Sequence, residues 1–180
     1  MAIIDSKFIQ SVHRLDVRTF LKVVNLNSRE GFALAARNIS HTADGWLYPL
    51  IPLLVALVDP AKALQLFYVL ASAYAIERCL YFSLKKSIKR NRPPVAIPGF
   101  KSLIIASDEF SFPSGHTSAA FLTVTTLVLF FPAAGLQFLY LWSCCVALSR
   151  IVLGVHFPLD TLAGASLGTL TAISAYTVLL

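Results

Sequence analysis

The sequence predicts an all-α protein: a polytopic membrane helical bundle of about five transmembrane helices, preceded by an N-terminal amphipathic helix lying in the interface. Three observations carry this expectation. The 180-residue chain is 57% hydrophobic and only 13% charged, with a mean hydropathy of +0.72, whereas a soluble domain has about 25% charged residues. Its apolar residues gather into runs of helical length, separated by short breaks rich in proline, glycine or charge. The cations behind the net charge of +6 concentrate in the N-terminal segment and in one loop. The chain reads as a single domain, with an interfacial segment at 1–43 and a membrane bundle at 44–180.

In residues 1–45, Ile3, Ile4, Phe8, Ile9, Val12, Leu15, Phe20, Leu21 and Val24 recur at helical spacing. They alternate with Lys7, Arg14, Arg18 and Lys22. A basic amphipathic helix of this kind lies along a membrane surface; packing against a neighbouring element is the alternative. The opening apolar run is too short and interrupted for a cleavable signal peptide. A first span is expected from about Asp44 to Val58, with Trp46 and Tyr48 as interfacial aromatics and Pro49 and Pro52 as bends. The turn Asp59-Pro60-Ala61-Lys62 leads into a second span from Ala61 to about Leu84, with Glu77 and Arg78 in its last third.

A polar loop occupies 85–113. The third span runs from Ser114 to about Phe131, the uncharged turn Pro132-Ala133-Ala134-Gly135 follows, and the fourth span extends to Leu153. Gly154 ends it, and Pro158, a favourable first-turn residue, starts the fifth. Gly164 and Gly168, four apart, suit close helix packing. Cys79, Cys144 and Cys145 fall inside apolar runs and read as small buried hydrophobes, not as a disulfide framework.

Counting spans places three polar clusters on one side of the membrane. The first is Lys85 to Arg92. Seven residues make nearly two helical turns, so both cations share a face if the helix continues to Pro93, and together they either clamp an anion or anchor the helix at the surface. Lys86, Lys89 and Arg90 read as surface anchors. The second is Pro113-Ser114-Gly115-His116, where a helix start offers free N–H groups, Gly115 permits close approach to an anion, and His116 can supply a proton. The third is Ser149-Arg150 through His156 to Asp160: Arg150 suits a phosphate, and Asp160 can fix the tautomer that frees His156 for attack. Alone, Asp160 could simply complement a helix dipole. Together the clusters supply cations, two histidines, a carboxylate and an anion-ready helix start, a balance suited to a phosphoryl centre. No thiolate cluster or carboxylate cage indicates a metal.

Lys85-x6-Arg92-Pro93, Pro113-Ser114-Gly115-His116 and Ser149-Arg150-x5-His156-x3-Asp160 together resemble the three-part signature of the type 2 phosphatidic acid phosphatase superfamily, in matching order and with no signature residue missing. The resemblance implies a helical membrane enzyme that hydrolyses a lipid phosphate monoester or diphosphate without a metal or other cofactor. It implies that His156 attacks phosphorus to form a phosphohistidine, that Asp160 orients it and that His116 protonates the leaving oxygen. Lys85, Arg92, Ser114, Gly115 and Arg150 would bind the phosphoryl oxygens. Phosphatidic acid, phosphatidylglycerophosphate and polyprenyl phosphates or diphosphates, undecaprenyl diphosphate among them, are the candidate substrates. A phosphotransferase on the same scaffold and a non-catalytic membrane protein are the alternatives. The family commonly has six spans; here 1–45 stands in place of the first. No nucleic-acid partner is expected, and the sequence leaves the oligomeric state open.

The loop cations gather on the site's side of the bundle while Lys62 lies opposite. By the positive-inside rule, the site is expected to face the cytoplasm, in the bacterial cytoplasmic membrane.

Overall fold

In a computed structural model, residues 6–25 and 30–180 are described, so Ile3, Ile4 and Arg29 lie outside the described residues. Among the described residues eight α-helices follow one another: α1 (Ser6–Asn25), α2 (Glu30–His41), α3 (Leu50–Ala56), α4 (Pro60–Ile88), α5 (Pro93–Ala96), α6 (Gly115–Phe130), α7 (Leu139–Val152) and α8 (Pro158–Leu179). Among the described residues there is no strand, only an isolated bridge between Asn91 and Phe110.

The central rod is α4, about 43 Å long at 1.5 Å per residue. It starts cleanly because Pro60 sits in its first turn and the Asp59 side chain accepts a hydrogen bond from the Lys62 amide at 2.9 Å. It stops at Lys89, whose φ of +48° is left-handed. Arg92 therefore does not continue the α4 face that carries Lys85, as the spacing suggested. It caps the separate helix α5.

Helices α6 and α8 form the tightest pair. A Cβ on Gly164 would lie 2.4 Å from the Ser114 carbonyl oxygen, and one on Gly168 would lie 2.1 Å from that of Ser118. Both distances are shorter than a side chain tolerates, so the two helices meet backbone to backbone. At the end far from Pro158, Leu66, Val69, Leu70, Ala73, Leu122, Phe130, Ala172 and Ala175 form the main apolar cluster of α4, α6 and α8.

Polarity is inverted relative to a soluble protein. Thr117, Ser118, Thr123, Thr125, Thr126, Ser143 and Thr171 are buried between helices, while Leu64, Phe67, Ile76, Leu80, Leu141, Leu162, Leu170 and Val178 point outward. Several buried hydroxyls bond back to their own helix, as Thr123 does to the Ala119 carbonyl and Thr126 to that of Leu122, each at 2.9 Å. Hydrocarbon is the natural solvent for such an exterior. By length and composition α8 is long and apolar enough to cross a membrane, and α6 and the 136–152 segment are shorter apolar helices.

Two expectations need correction. The expected first span contains only the seven-residue α3, about 10 Å of helix, because Gly45 at φ +95° and Pro49 keep the chain before it in turns, while Pro52 is accommodated in the first turn of α3. Cys79, Cys144 and Cys145 are exposed, on outward faces of α4 and α7.

The N-terminal helices pack on the bundle. Phe20 of α1 is fully buried, with its ring 5.1 Å from Phe100 and 5.2 Å from Phe157. Ala36 of α2 packs with Val152, Leu153 and Val155. Asp16 of α1 accepts the Leu159 amide at 2.9 Å and Nη2 of Arg90 at 2.6 Å, while Nη1 of the same Arg90 donates to Asp160 at 2.7 Å. Arg90, read from the sequence as a surface anchor, is a fork between two buried carboxylates.

Two single changes test these contacts in detergent by thermal unfolding. Arg90→Ala strands two buried carboxylates, a loss of about 3–5 kcal/mol by analogy with other broken buried pairs, and Gly168→Ala forces apart α6 and α8 at about 1–3 kcal/mol. Both are expected to unfold at lower temperature than Gly31→Ala, whose added methyl meets nothing within 4 Å. Equal midpoints for the three variants would refute this account of the packing.

Candidate active site

The site lies where α4, α6 and the α7–α8 junction end together. The α7–α8 junction turns at Gly154, at φ +77°, where a Cβ would fall 2.7 Å from the Phe100 ring. This turn lets the chain leave α7 after Arg150 and deliver His156 before Pro158 restarts the helix. Asp160 then folds back as a cap, its Oδ2 accepting the Phe157 amide at 2.8 Å. Its backbone carbonyl accepts the Ser114 amide at 2.9 Å, which joins the start of α6 to the start of α8.

His156 is 2% exposed. Its Nδ1 lies 2.7 Å from the Ser111 carbonyl oxygen, which can only accept, so Nδ1 carries the proton and Nε2 keeps its lone pair. The Asp160 carboxylate stands 3.8 Å from Nδ1, an electrostatic neighbour and not its hydrogen-bond acceptor. Burial pushes the imidazole down, and Arg92 and Arg150 push the same way against the pull of Asp160, leaving it at about 4. The ring is neutral at pH 7. Nη1 of Arg92 lies 3.4 Å from Nε2 and donates to the Val155 carbonyl at 2.7 Å.

Lys85, Arg92 and Arg150 are 5%, 7% and 6% exposed. For Lys85 and Arg92 the structure supplies a partner that spacing did not indicate. The Asp108 carboxylate, from the loop before α6, pairs with both, and it also accepts the Tyr81 hydroxyl at 2.7 Å. Burial works to raise this carboxyl, but the bonds from Lys85 and Tyr81 and the charge of Arg92 hold it well below the usual carboxylate range. Arg150 donates through Nη1 to the Ser40 hydroxyl at 2.6 Å, and its Nε is buried without a hydrogen-bond partner among the described residues.

Ser114 caps α6, fully buried with its hydroxyl 3.0 Å from that of Thr117. The amides of Gly115, His116 and Thr117 precede the first α6 bond, from the Ser118 amide to the Ser114 carbonyl. At Gly115 a Cβ would approach the Tyr81 ring to 3.1 Å. Nε2 of His116 lies 2.9 Å from Asp44, whose other oxygen is 2.8 Å from Nδ1 of His41.

Gly115, His116, Arg92, Arg150 and His156 line one cavity of about 650 Å³, whose far wall is apolar. Lys85, Ser114 and Asp160 stand behind that lining. Lys85 reaches the cavity through Asp108, which does line it, while Asp160 acts through Arg90 and the helix start. Among the described residues, no three His, Cys, Asp or Glu side chains gather in a group that could hold a metal ion.

Sequence reasoning missed Asp108, Asp44, Ser40, Arg90 and the Ser111 carbonyl. Asp108 and Asp44 sit in stretches without helical periodicity or motif spacing, and Ser40 is one hydroxyl in α2 with no motif around it. A backbone acceptor leaves no mark in a sequence.

Residues 62–180 match the PAP2 superfamily. Over 146 residues the chain is 31% identical to the decaprenylphosphoryl-5-phosphoribose phosphatase of Mycobacterium tuberculosis, covering 79% of this chain and 78% of that protein. It is similar in fold to Aquifex aeolicus LpxE, with a TM-score of 0.73 at 24% identity over 91% of this chain and 95% of the other. It is also similar to the first transmembrane PAP2-type phosphatidylglycerolphosphate phosphatase from Bacillus subtilis, with a TM-score of 0.70 at 26% identity over 93% and 86%. With its signature residues gathered around one cavity and two thirds of its length matched, the chain belongs to the PAP2 superfamily.

Proposed function

We propose that the chain hydrolyses a lipid phosphate without a metal, through a covalent phosphohistidine at His156. The chain is a phosphatase of lipid phosphates and an integral membrane protein; the mechanism, substrate and sidedness are our reading. One observation carries it. His156 presents an unprotonated Nε2 to a cavity lined by Arg92 and by an Arg150 that has a buried donor to spare. A buried donor without an acceptor is rare, and a phosphoryl oxygen would satisfy it.

The steps follow from that arrangement. The Ser111 carbonyl holds the Nδ1 proton, so the Nε2 lone pair attacks phosphorus and the bond to the leaving oxygen breaks. Asp160, 3.8 Å from Nδ1, stabilises the positive charge that the ring acquires as the P–N bond forms. His116, whose Nε2–H is held by Asp44, acts as the imidazolium favoured by the charge of the bound phosphate and gives its Nδ1 proton to the leaving oxygen. The same residue then takes a proton from the water that displaces phosphate from His156, restoring both histidines. Arg92, Arg150 and the amides of Gly115 and His116 bind the equatorial oxygens, backed by Lys85 and Ser114.

Asp108 pairs with both Lys85 and Arg92, the cations a phosphate would seek. An arriving phosphate takes over those cations, and the loop carboxylate gives way. The substrate's apolar end lies along the far wall of the cavity. A site facing the cytoplasm fits the cation distribution.

Three measurements test this. His156→Ala is expected to abolish phosphate release from phosphatidic acid, phosphatidylglycerophosphate and polyprenyl diphosphate, while excess EDTA leaves the unmodified enzyme at full rate; activity in the variant, or its loss with EDTA, contradicts the mechanism. Asp108→Asn is expected to strengthen inhibition by inorganic phosphate about tenfold, the size of a lost charged competitor. Weaker inhibition would mean that the carboxylate serves the anion instead of competing with it. In a chain whose three cysteines are replaced by serine, Lys101→Cys should resist an impermeant thiol reagent applied to whole cells and Asp59→Cys should react; the reverse pattern places the site outside.

A further inference from the structure

Between the reacting end of the cavity and its apolar wall lies a cation that the mechanism does not use. Arg78 of α4 lines the same cavity as His156, and so do Phe67 and Leu70, about two to three turns earlier on the helix. Its Nε and Nη2 are held at 2.5 and 2.8 Å by Glu77, which is itself fully buried. That leaves Nη1 without a hydrogen bond among the described residues, while 40% of the side chain is exposed. The guanidinium carbon lies 4.4 Å from the centroid of the Tyr81 ring, and Nζ of Lys85 lies 4.4 Å from the same centroid. The two cations therefore stand no farther apart than twice that distance.

A buried carboxylate spent on fixing its neighbour's guanidinium is costly in an apolar bundle unless the exposed edge has a use. A lipid with its reacting phosphate at His156 and its tail against Phe67 and Leu70 must pass Arg78. If the lipid carries one phosphate, the group passing Arg78 is an ester or alkyl segment with little to offer a cation. If a second phosphate joins tail and reacting phosphate, its oxygens meet an oriented donor.

We propose that Arg78, held by Glu77, is a second-phosphate subsite, and that this enzyme prefers lipids bearing a phosphate between the tail and the phosphate that is removed. The inference rests on the phosphatase reading above. Two lipid chemistries share the feature: a diphosphate, with the phosphates adjacent, and a phosphodiester with a terminal phosphomonoester, with a short polyol between them.

The test compares polyprenyl diphosphate, phosphatidylglycerophosphate, phosphatidic acid and polyprenyl monophosphate as substrates of the full-length enzyme in detergent. Arg78→Gln is expected to lower kcat/KM on the two-phosphate lipids by roughly tenfold to a hundredfold, the worth of one or two charged hydrogen bonds, chiefly through KM. The loss on the single-phosphate lipids should be several times smaller, and Arg78→Lys should recover part of the affinity. Because Gln beside a buried Glu77 could disturb folding, the neutral pair Glu77→Gln with Arg78→Gln is measured alongside, with the same selective loss expected. Loss confined to the diphosphate or to phosphatidylglycerophosphate supports the subsite and tells which spacing it fits. Equal losses on all four lipids in both variants, no loss on any, or an unmodified enzyme that accepts only single-phosphate lipids overturns it. Release from none of the four would overturn the phosphatase reading itself, and the subsite with it.

Discussion

Three cations, Lys85, Arg92 and Arg150, are each more than nine-tenths buried at one end of the bundle, and a single carboxylate, Asp108, pairs with the first two of them. Surplus positive charge in a low-dielectric setting is unfavourable, and a protein sustains it where an anion is expected. Much of the surrounding structure can be read as the means of tolerating that surplus. Backbone carbonyls of Asp108 and Val155 take donors of Arg92 at 2.9 and 2.7 Å, and the Ser40 hydroxyl takes one from Arg150. The same field helps keep His156 neutral, which is the state a nucleophile needs.

The helices make this possible by fixing distances. Gly164 and Gly168 bring the backbones of α6 and α8 together, so that the Asp160 carbonyl meets the Ser114 amide and the two helix starts form one corner. Arg90 then ties that corner to α1 through Asp16, and α2 supplies Ser40 and, just beyond its end, Asp44. The N-terminal segment is therefore part of the architecture of the site as well as a covering for the bundle.

The bundle, its four apolar helices and the motif residues were legible in the sequence because their signals are local. Apolar runs mark α4, α6, α7 and α8, and Pro158 and Gly154 mark the junction that carries His156. What escaped depends on contacts between distant segments. The Lys85 and Arg92 spacing suggested a shared helix face, but the left-handed turn at Lys89 ends α4, and it is Asp108 that brings the two cations together. Asp160 looked like the partner of the His156 ring, yet the ring proton goes to the Ser111 carbonyl and Asp160 is braced by Arg90. The three cysteines shared the hydrophobicity of their runs, but in a membrane bundle apolar faces point outward as readily as inward.

The central claim is that His156 forms a covalent bond to phosphorus. Mixing the purified enzyme with lipid substrate carrying labelled phosphate, quenching within milliseconds in alkali, and mapping the label by tandem mass spectrometry tests it directly. The account predicts label on His156, stable to base and lost in acid as a phosphoramidate should be. Label on any other residue, or oxygen-isotope and stereochemical evidence for a single direct displacement by water, would contradict it.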